Sequence, residues 1–334
     1  FNIFAIRGEE YRDPNGLIRG IDHLLSLRAE HLVATHGPSM SGREEIAARV
    51  TRYRDSLAYI WDQTVRHTNL GATTNDLAHT VQLPALYGED FLTTELYGVV
   101  EHHARQIRSG LFGFFDGDPA NLFPVPTAER SDRLIAGFGG EAVVRQQATD
   151  AYAADDVRWG LELASWLSAR ESATSEDHRL LAQGLRLIAE RTTAANIRSW
   201  CLTRALILEG SLDDGWMKVH QLRPKAVANS PLERSVHLLR VLVDPARTDG
   251  VDVHVGFSFD GEATGLHVRN AIAAPTSGEG ASVILSGAKT TWANLLCGNG
   301  TLSGLLDSGE LQVDGDRESL IQAFSVFDLP SLRS

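Results

Sequence analysis

The distribution of apolar positions along the chain changes character near residue 230. Upstream, apolar residues recur at three- and four-residue spacing, the period of an amphipathic helix. Ile46, Val50, Tyr53, Leu57, Ile60, Trp61 and Val65 place one long helix over Gly42 to His67. Others are expected at about 14–28, from the Thr73 cap to Val81, at 90–110, and at 128–152, 156–170, 176–192 and 194–210. Leu83-Pro84 and the run Gly-Phe-Phe-Asp-Gly-Asp-Pro from Gly113 read as stops, and Phe123-Pro124-Val125-Pro126 as a linker. Two segments read as buried strands instead: Phe1 to Gly8, and His31 to Pro38. Phe1 is not an initiator methionine, and the opening strand reads as one that starts inside a larger protein.

Downstream, after a helix at 232–242, the period becomes two. Val251, Val253, Val255, Phe257 and Phe259 alternate with Asp252, His254, Gly256, Ser258 and Asp260, the pattern of a half-buried strand. Asp260-Gly261 turns the chain into a second strand through Leu266 and Val268. Val283 and Leu285 begin another, 290–296 is helical, 309–316 is a short strand, and Arg317 to Phe327 closes with a helix. The whole is α+β and multidomain. The divisions are 1–125, a helical array at 126–225, and an α+β module at 230–334 in which helices cover a sheet. The helical array has TPR-like hairpins but no clean 34-residue repeat.

Composition narrows the possibilities without choosing a function. The 334 residues are 43% hydrophobic, enough for two or three cores. A net charge of −12 argues against a nucleic-acid surface, and no apolar run is long enough for a membrane span. Thr73 to Ala78 looks superficially like the start of a helix-turn-helix, but no basic recognition helix follows. Cys201 and Cys297 read as core thiols, not a disulfide framework.

Few residues carry chemistry on their own. His36 sits past a strand end, held by Gly37 and Pro38, a geometry that suits metal ligation or equally a plain turn histidine. Arg7, at a strand end before Gly8, could grip two oxygens of an oxyanion or pair on the surface with Glu9 or Glu10. Arg12 is a weaker candidate for the same task. His102 and His103 stand side by side on a helix face that Glu101 and Arg105 could equally make a solvated one. Tyr97, Phe112, Phe114 and Phe115 are core candidates, one or two of which could line an apolar channel.

Five strings together change these odds: Asn2 to Gly8, Thr35-His36-Gly37-Pro38, Tyr59 to Thr64, Tyr97 to His102, and Gly113 to Leu122. In this order and near this spacing they resemble the alkylsulfatases of the metallo-β-lactamase fold, across essentially the whole chain. The resemblance implies a zinc-dependent hydrolase cleaving alkyl sulfate esters to alcohol and sulfate. It implies the C-terminal edge of an αββα catalytic domain, then a helical dimerisation domain giving a homodimer, then a module like sterol carrier protein 2 that could hold an alkyl chain. It makes His36 a metal ligand, the only one of the family's two-zinc set in this chain. Arg7 becomes a sulfate clamp, His102 the acid for the leaving alcohol or a sulfate contact, and Tyr97 and Phe114 substrate-binding residues. His103 stands where the family usually has Asn, so either histidine could take the role of His102. The turn at His36 lacks the Trp that relatives usually carry before the Pro. The alternatives are a non-catalytic lipid- or surfactant-binding dimerisation module, or hydrolysis of another ester.

Overall fold

In the computed structural model, residues 2–8, 10–215 and 222–333 are described. The chain forms two compact units, Phe1–Asp213 and Asp214–Ser334. Both are mixed or helical layers around apolar cores, so the α+β class holds.

In the first unit, helix α1 (Pro14–Ser26) opens on Asp13, whose carboxylate accepts the Asn15 and Gly16 N–H groups. Strands β1 (His31–Leu32) and β2 (Met40–Ser41) make a two-residue antiparallel pair. The long helix α2 (Arg43–Asn69) follows, then α3 (Thr74–Thr80), opened by a reciprocal capping box between Thr73 and Asp76. With α4 (Val100–Phe112) these helices close over Ile3, Ile18, Leu57, Ile60, Leu77 and Ile107. The rest of the unit is antiparallel hairpins: α5 (Thr127–Gly137), α6 (Glu141–Ala153), α7 (Val157–Ser168), α8 (Ser175–Arg191) and α9 (Ala195–Leu208). Tyr152 is the keystone of this stack. A Cβ on Gly160 would come within 2.5 Å of its ring and one on Gly184 within 2.2 Å of its hydroxyl, so α6, α7 and α8 approach one another only because both positions are glycine.

Several expected elements differ. Asn2 to Gly8 is not a strand: Ile3 and Ala5 are buried, which gives the apolar alternation, but the segment pairs with no strand among the described residues and ends in a turn, Gly8 N–H to Ala5 O at 3.0 Å. Phe1 lies outside the described residues. The strand at 31–38 shrinks to His31–Leu32, because residues 33–39 are exposed and Val33 has no face to bury. The helix expected from Asp90 starts only at Val100. The Asp90 carboxylate accepts Leu92 N–H and is gripped by Arg49, which fixes a turn there, and the Glu95 carboxylate accepts Val100 N–H at 2.7 Å, marking the true helix start. The helix at 128–152 is two helices, broken at Gly139 and Gly140, both at φ near +100°.

The second unit begins with two short helices, α10 (Pro224–Asn229) and α11 (Leu232–His237). The helix expected to reach Leu242 tightens after His237 into a 3-10 turn. Strands β3 (Val253–Phe259), β4 (Glu262–Arg269), β5 (Ile272–Thr276), β6 (Val283–Gly287) and β7 (Leu311–Gly315) order themselves β5-β4-β3-β6-β7, with only β3 and β6 parallel. Gly256 and Gly265 face each other across β3 and β4, and a Cβ on Gly265 would stand 2.6 Å from the Gly278 backbone. The pair leaves room for the chain to cross from β5 to β6. Helices α12 (Lys289–Leu296), α13 (Leu302–Asp307) and α14 (Arg317–Ser325) complete the unit. Phe257, Phe259, Trp292 and Phe324 fill the inner face with ring centroids 5.5–6.5 Å apart, and the Trp292 indole donates to Ser235 Oγ at 3.0 Å. Strand β5 and helix α13 were not expected from the pattern.

Candidate functional site

The candidate residues gather where segment 2–8 meets the loop before α4. Ile3 and Ala5 anchor the segment in the core, and Arg12 Nη1 donates to Asn2 O at 3.1 Å. Arg12 therefore holds backbone. Arg7 projects from the turn, exposed, and its Nη2 donates to the Tyr97 hydroxyl at 2.8 Å, with the guanidinium carbon 6.0 Å from the ring centre. No ion pair joins Arg7 to Glu10 among the described residues; Glu9 lies outside them.

The next contact back along the segment brings in histidine. The Phe4 ring meets His102 edge to face, centroids 6.2 Å apart at 81°. His102 sits in the first turn of α4, half-buried, on the wall of a groove shared with Glu101, Arg105, Val99 and Arg158. His103 points the other way. It is fully buried, its Cε1 only 2.6 Å from where a Cβ on Gly98 would stand. Of the adjacent histidines, His102 alone faces the groove.

Burial holds the His102 imidazole below its ordinary pKa. The Glu101 carboxylate pulls the other way, and Arg105 and Arg158 add to the depression. The ring is therefore neutral at pH 7 before an anion arrives. For Glu101, burial alone would raise the carboxyl, but Arg158 overrides it with two bonds, at 3.0 and 2.5 Å. That pair spans 57 residues, α7 to α4, and no local pattern announces it.

The other two candidates stand apart. Phe114 is 84% exposed beyond the far end of α4, whose last residue, Phe112, is about 15 Å along the helix axis from His102. His36 is exposed in the bend between β1 and β2. Its neighbour Gly37, at φ +95°, leaves room for the Phe91 ring, 3.0 Å from an imagined Cβ. Among the described residues no three His, Cys, Asp or Glu side chains converge on a metal position. A zinc centre needs three or four protein ligands, so these residues do not by themselves fit one.

The chain is similar to known proteins. Residues 73–211 match the family model for alkyl sulfatase dimerisation and residues 221–333 the model for the alkyl sulfatase C-terminal region. The chain is similar to a linear primary-alkylsulfatase of Pseudomonas sp., 33% identical over 345 aligned residues that cover 98% of this chain and 65% of the relative. It is also similar to an alkyl/aryl-sulfatase of Saccharomyces cerevisiae, 25% identical over 98% of this chain and 52% of the relative. A solved structure of a stereoselective inverting sec-alkylsulfatase from Pseudomonas sp. superposes with a TM-score of 0.87 at 24% identity, covering 99% of this chain and 53% of that one. At that identity the likeness is one of fold. The chain spans between half and two-thirds of the length of the relatives it matches.

Proposed function

The chain belongs to the alkylsulfatase family, and from that premise we propose that the whole protein hydrolyses alkyl sulfate esters to alcohol and sulfate, with residues 1–334 supplying the sulfate-facing edge of its active site. The observation that carries the reading is the Arg7 guanidinium, held at the surface by Tyr97 on the segment that also touches His102. An alkyl sulfate carries one negative charge over three terminal oxygens. Nη2 carries two hydrogens, so with one given to Tyr97 the other still stands beside a neighbouring N–H of the Arg7 guanidinium, and the two can grip two of those oxygens side by side, a geometry an ammonium cannot offer.

His102 suits the leaving group. Its resting neutrality comes from burial and two nearby cations, and a bound sulfate offsets those cations and restores proton affinity. As the bond between sulfur and the alkyl oxygen breaks, a protonated imidazole gives its proton to that oxygen, and the attacking water leaves its hydroxyl on sulfur and its other proton on the imidazole. Zinc, expected from the family resemblance, would supply charge stabilisation and an activated water when bound. His36 would be one ligand of that centre.

The finer architecture belongs to the same proposal: residues 1–125 as the edge of a metallo-β-lactamase-like catalytic domain with its helical extension, 126–225 as the dimerisation domain, and 230–334 as a module like sterol carrier protein 2. A homodimer is supported by the matched dimerisation region and by large apolar residues left in solvent, among them Trp159 at 38%, Trp200 at 44% and Leu206 at 38%. Phe114, distant from His102 along α4, has a place as a substrate-binding residue only for a tail reaching beyond the helix end.

The test is sulfate release from dodecyl sulfate by the full-length protein, read by ion chromatography, with residues 1–334 alone as an inert control. Absence of release by a folded, metal-replete full-length protein would refute the reading in favour of a surfactant-binding module.

A further inference from the structure

We propose that Tyr97 is a positioning residue for Arg7 rather than a contact to substrate, and that the loop carrying it is anchored to the dimerisation helices so that their packing sets the direction of the sulfate clamp. The inference rests on the reading of Arg7 as that clamp.

Arg7 needs an external support. It stands in a turn outside any helix or strand, exposed, and the Tyr97 hydroxyl is its side-chain hydrogen-bond partner among the described residues. A long, flexible side chain with one fixed donor keeps little of its rotamer freedom, so less is lost when an anion binds. The accepting hydroxyl engages one of the two Nη2 hydrogens and leaves the edge that carries the other, with its neighbouring N–H, free.

Tyr97 in turn is fixed from three sides. One residue on, Gly98 lies flush between the His103 ring and Phe4 O: a Cβ there would meet His103 Cε1 at 2.6 Å and Phe4 O at 3.4 Å. The loop can approach segment 4–7 this closely only because residue 98 has no side chain. Two residues back, Glu95 binds Val100 N–H at 2.7 Å and ties the loop to the start of α4. On the far side, Thr193 Oγ1 donates to Glu95 O at 2.8 Å and Ala195 N–H to Leu96 O at 2.9 Å, which fastens the loop to the junction of α8 and α9. The path from helix junction to guanidinium is thus Thr193 and Ala195, Glu95 and Leu96, Tyr97, Arg7.

The experiment is a double-mutant cycle in the full-length enzyme on dodecyl sulfate, with Tyr97→Phe, Arg7→Ala and both together. Tyr97→Phe should raise KM about tenfold with little change in kcat, and should add nothing on the Arg7→Ala background, because its effect runs through Arg7. Full additivity would make Tyr97 an independent substrate contact and overturn the proposal. So would wild-type kinetics for Tyr97→Phe beside an impaired Arg7→Ala, which would leave the clamp reading intact. Wild-type kinetics for Arg7→Ala would remove the clamp reading and this inference together.

Discussion

Asp177→Asn should cost the first unit about 3 kcal/mol, more than any single surface charge there, because one carboxylate closes a buried network. Asp177 is 0% exposed and opens α8 through a capping box with Thr174. One of its oxygens accepts Arg145 Nε at 2.8 Å. The other accepts the Thr174 N–H at 2.9 Å and hydroxyl at 2.8 Å, and Arg170 Nη2 lies at 3.5 Å. Arg170 is itself buried, its remaining carboxylate partner being Glu141. An asparagine keeps one acceptor oxygen. Turned to satisfy Thr174, it points its amide at the Arg145 donor, so a charge-assisted bond worth about 1.5–3 kcal/mol is lost and two guanidinium groups lose a countercharge. For a unit of this size the loss corresponds to a fall in Tm of about 6–12 °C. Thermal unfolding followed by far-ultraviolet circular dichroism reads it directly.

The pH dependence supplies a second arm. Burial alone would raise the Asp177 carboxyl, but Arg145 and Thr174 hold it below the usual carboxylate range. Its contribution is therefore present above the unfolded pKa and lost as pH falls through the lower native value. The gap between wild type and Asp177→Asn should close as pH drops below the ordinary carboxylate range. A variant within 1 °C of wild type at pH 7, or a gap independent of pH, would refute the network argument.

Tyr152→Phe should be neutral or stabilising by about 1 kcal/mol in urea unfolding, since the buried hydroxyl has no hydrogen-bond partner among the described residues, whereas Gly184→Ala should destabilise strongly. In the full-length enzyme the alkaline fall of kcat should lie at higher pH than that of kcat/KM, because the free enzyme depresses His102 and the bound anion restores it; coincident limbs would contradict that role. Residues 1–334 alone should retain no stoichiometric zinc after dialysis, and metal analysis showing one equivalent or more would overturn the ligand count. Light scattering on the full-length protein should give a dimer at micromolar concentration, and a clean monomer would leave Trp159 and Trp200 unexplained.

The elements most legible in the sequence were those whose burial period matches one regular structure. Strand β3 is written plainly because Val253 to Phe259 bury one face of a sheet, and α2 because a 27-residue helix repeats its apolar stripe many times. Segment 2–8 misled because burying Ile3 and Ala5 from a turn-ended segment leaves the same alternation as a strand. The start of α4 is hidden in the sequence because its cap is the Glu95 side chain, five residues before the N–H it receives, and the break at Gly139-Gly140 is masked by apolar residues that continue at helical spacing on both sides of it. At the candidate site, Arg7 and His102 could be named through the family strings. That Arg7 rests on Tyr97, 90 residues away, and Glu101 on Arg158 is a product of tertiary packing, which no local spacing encodes.

The decisive measurement is kcat/KM on dodecyl sulfate for full-length wild type against Arg7→Lys. Lysine preserves the charge and removes the two-pronged grip, so a loss of about ten- to a hundredfold is expected with the fold intact by circular dichroism. An unchanged kcat/KM would show that Arg7 does not hold the sulfate, and that the site assembled around Tyr97 and His102 is not the one that does the chemistry.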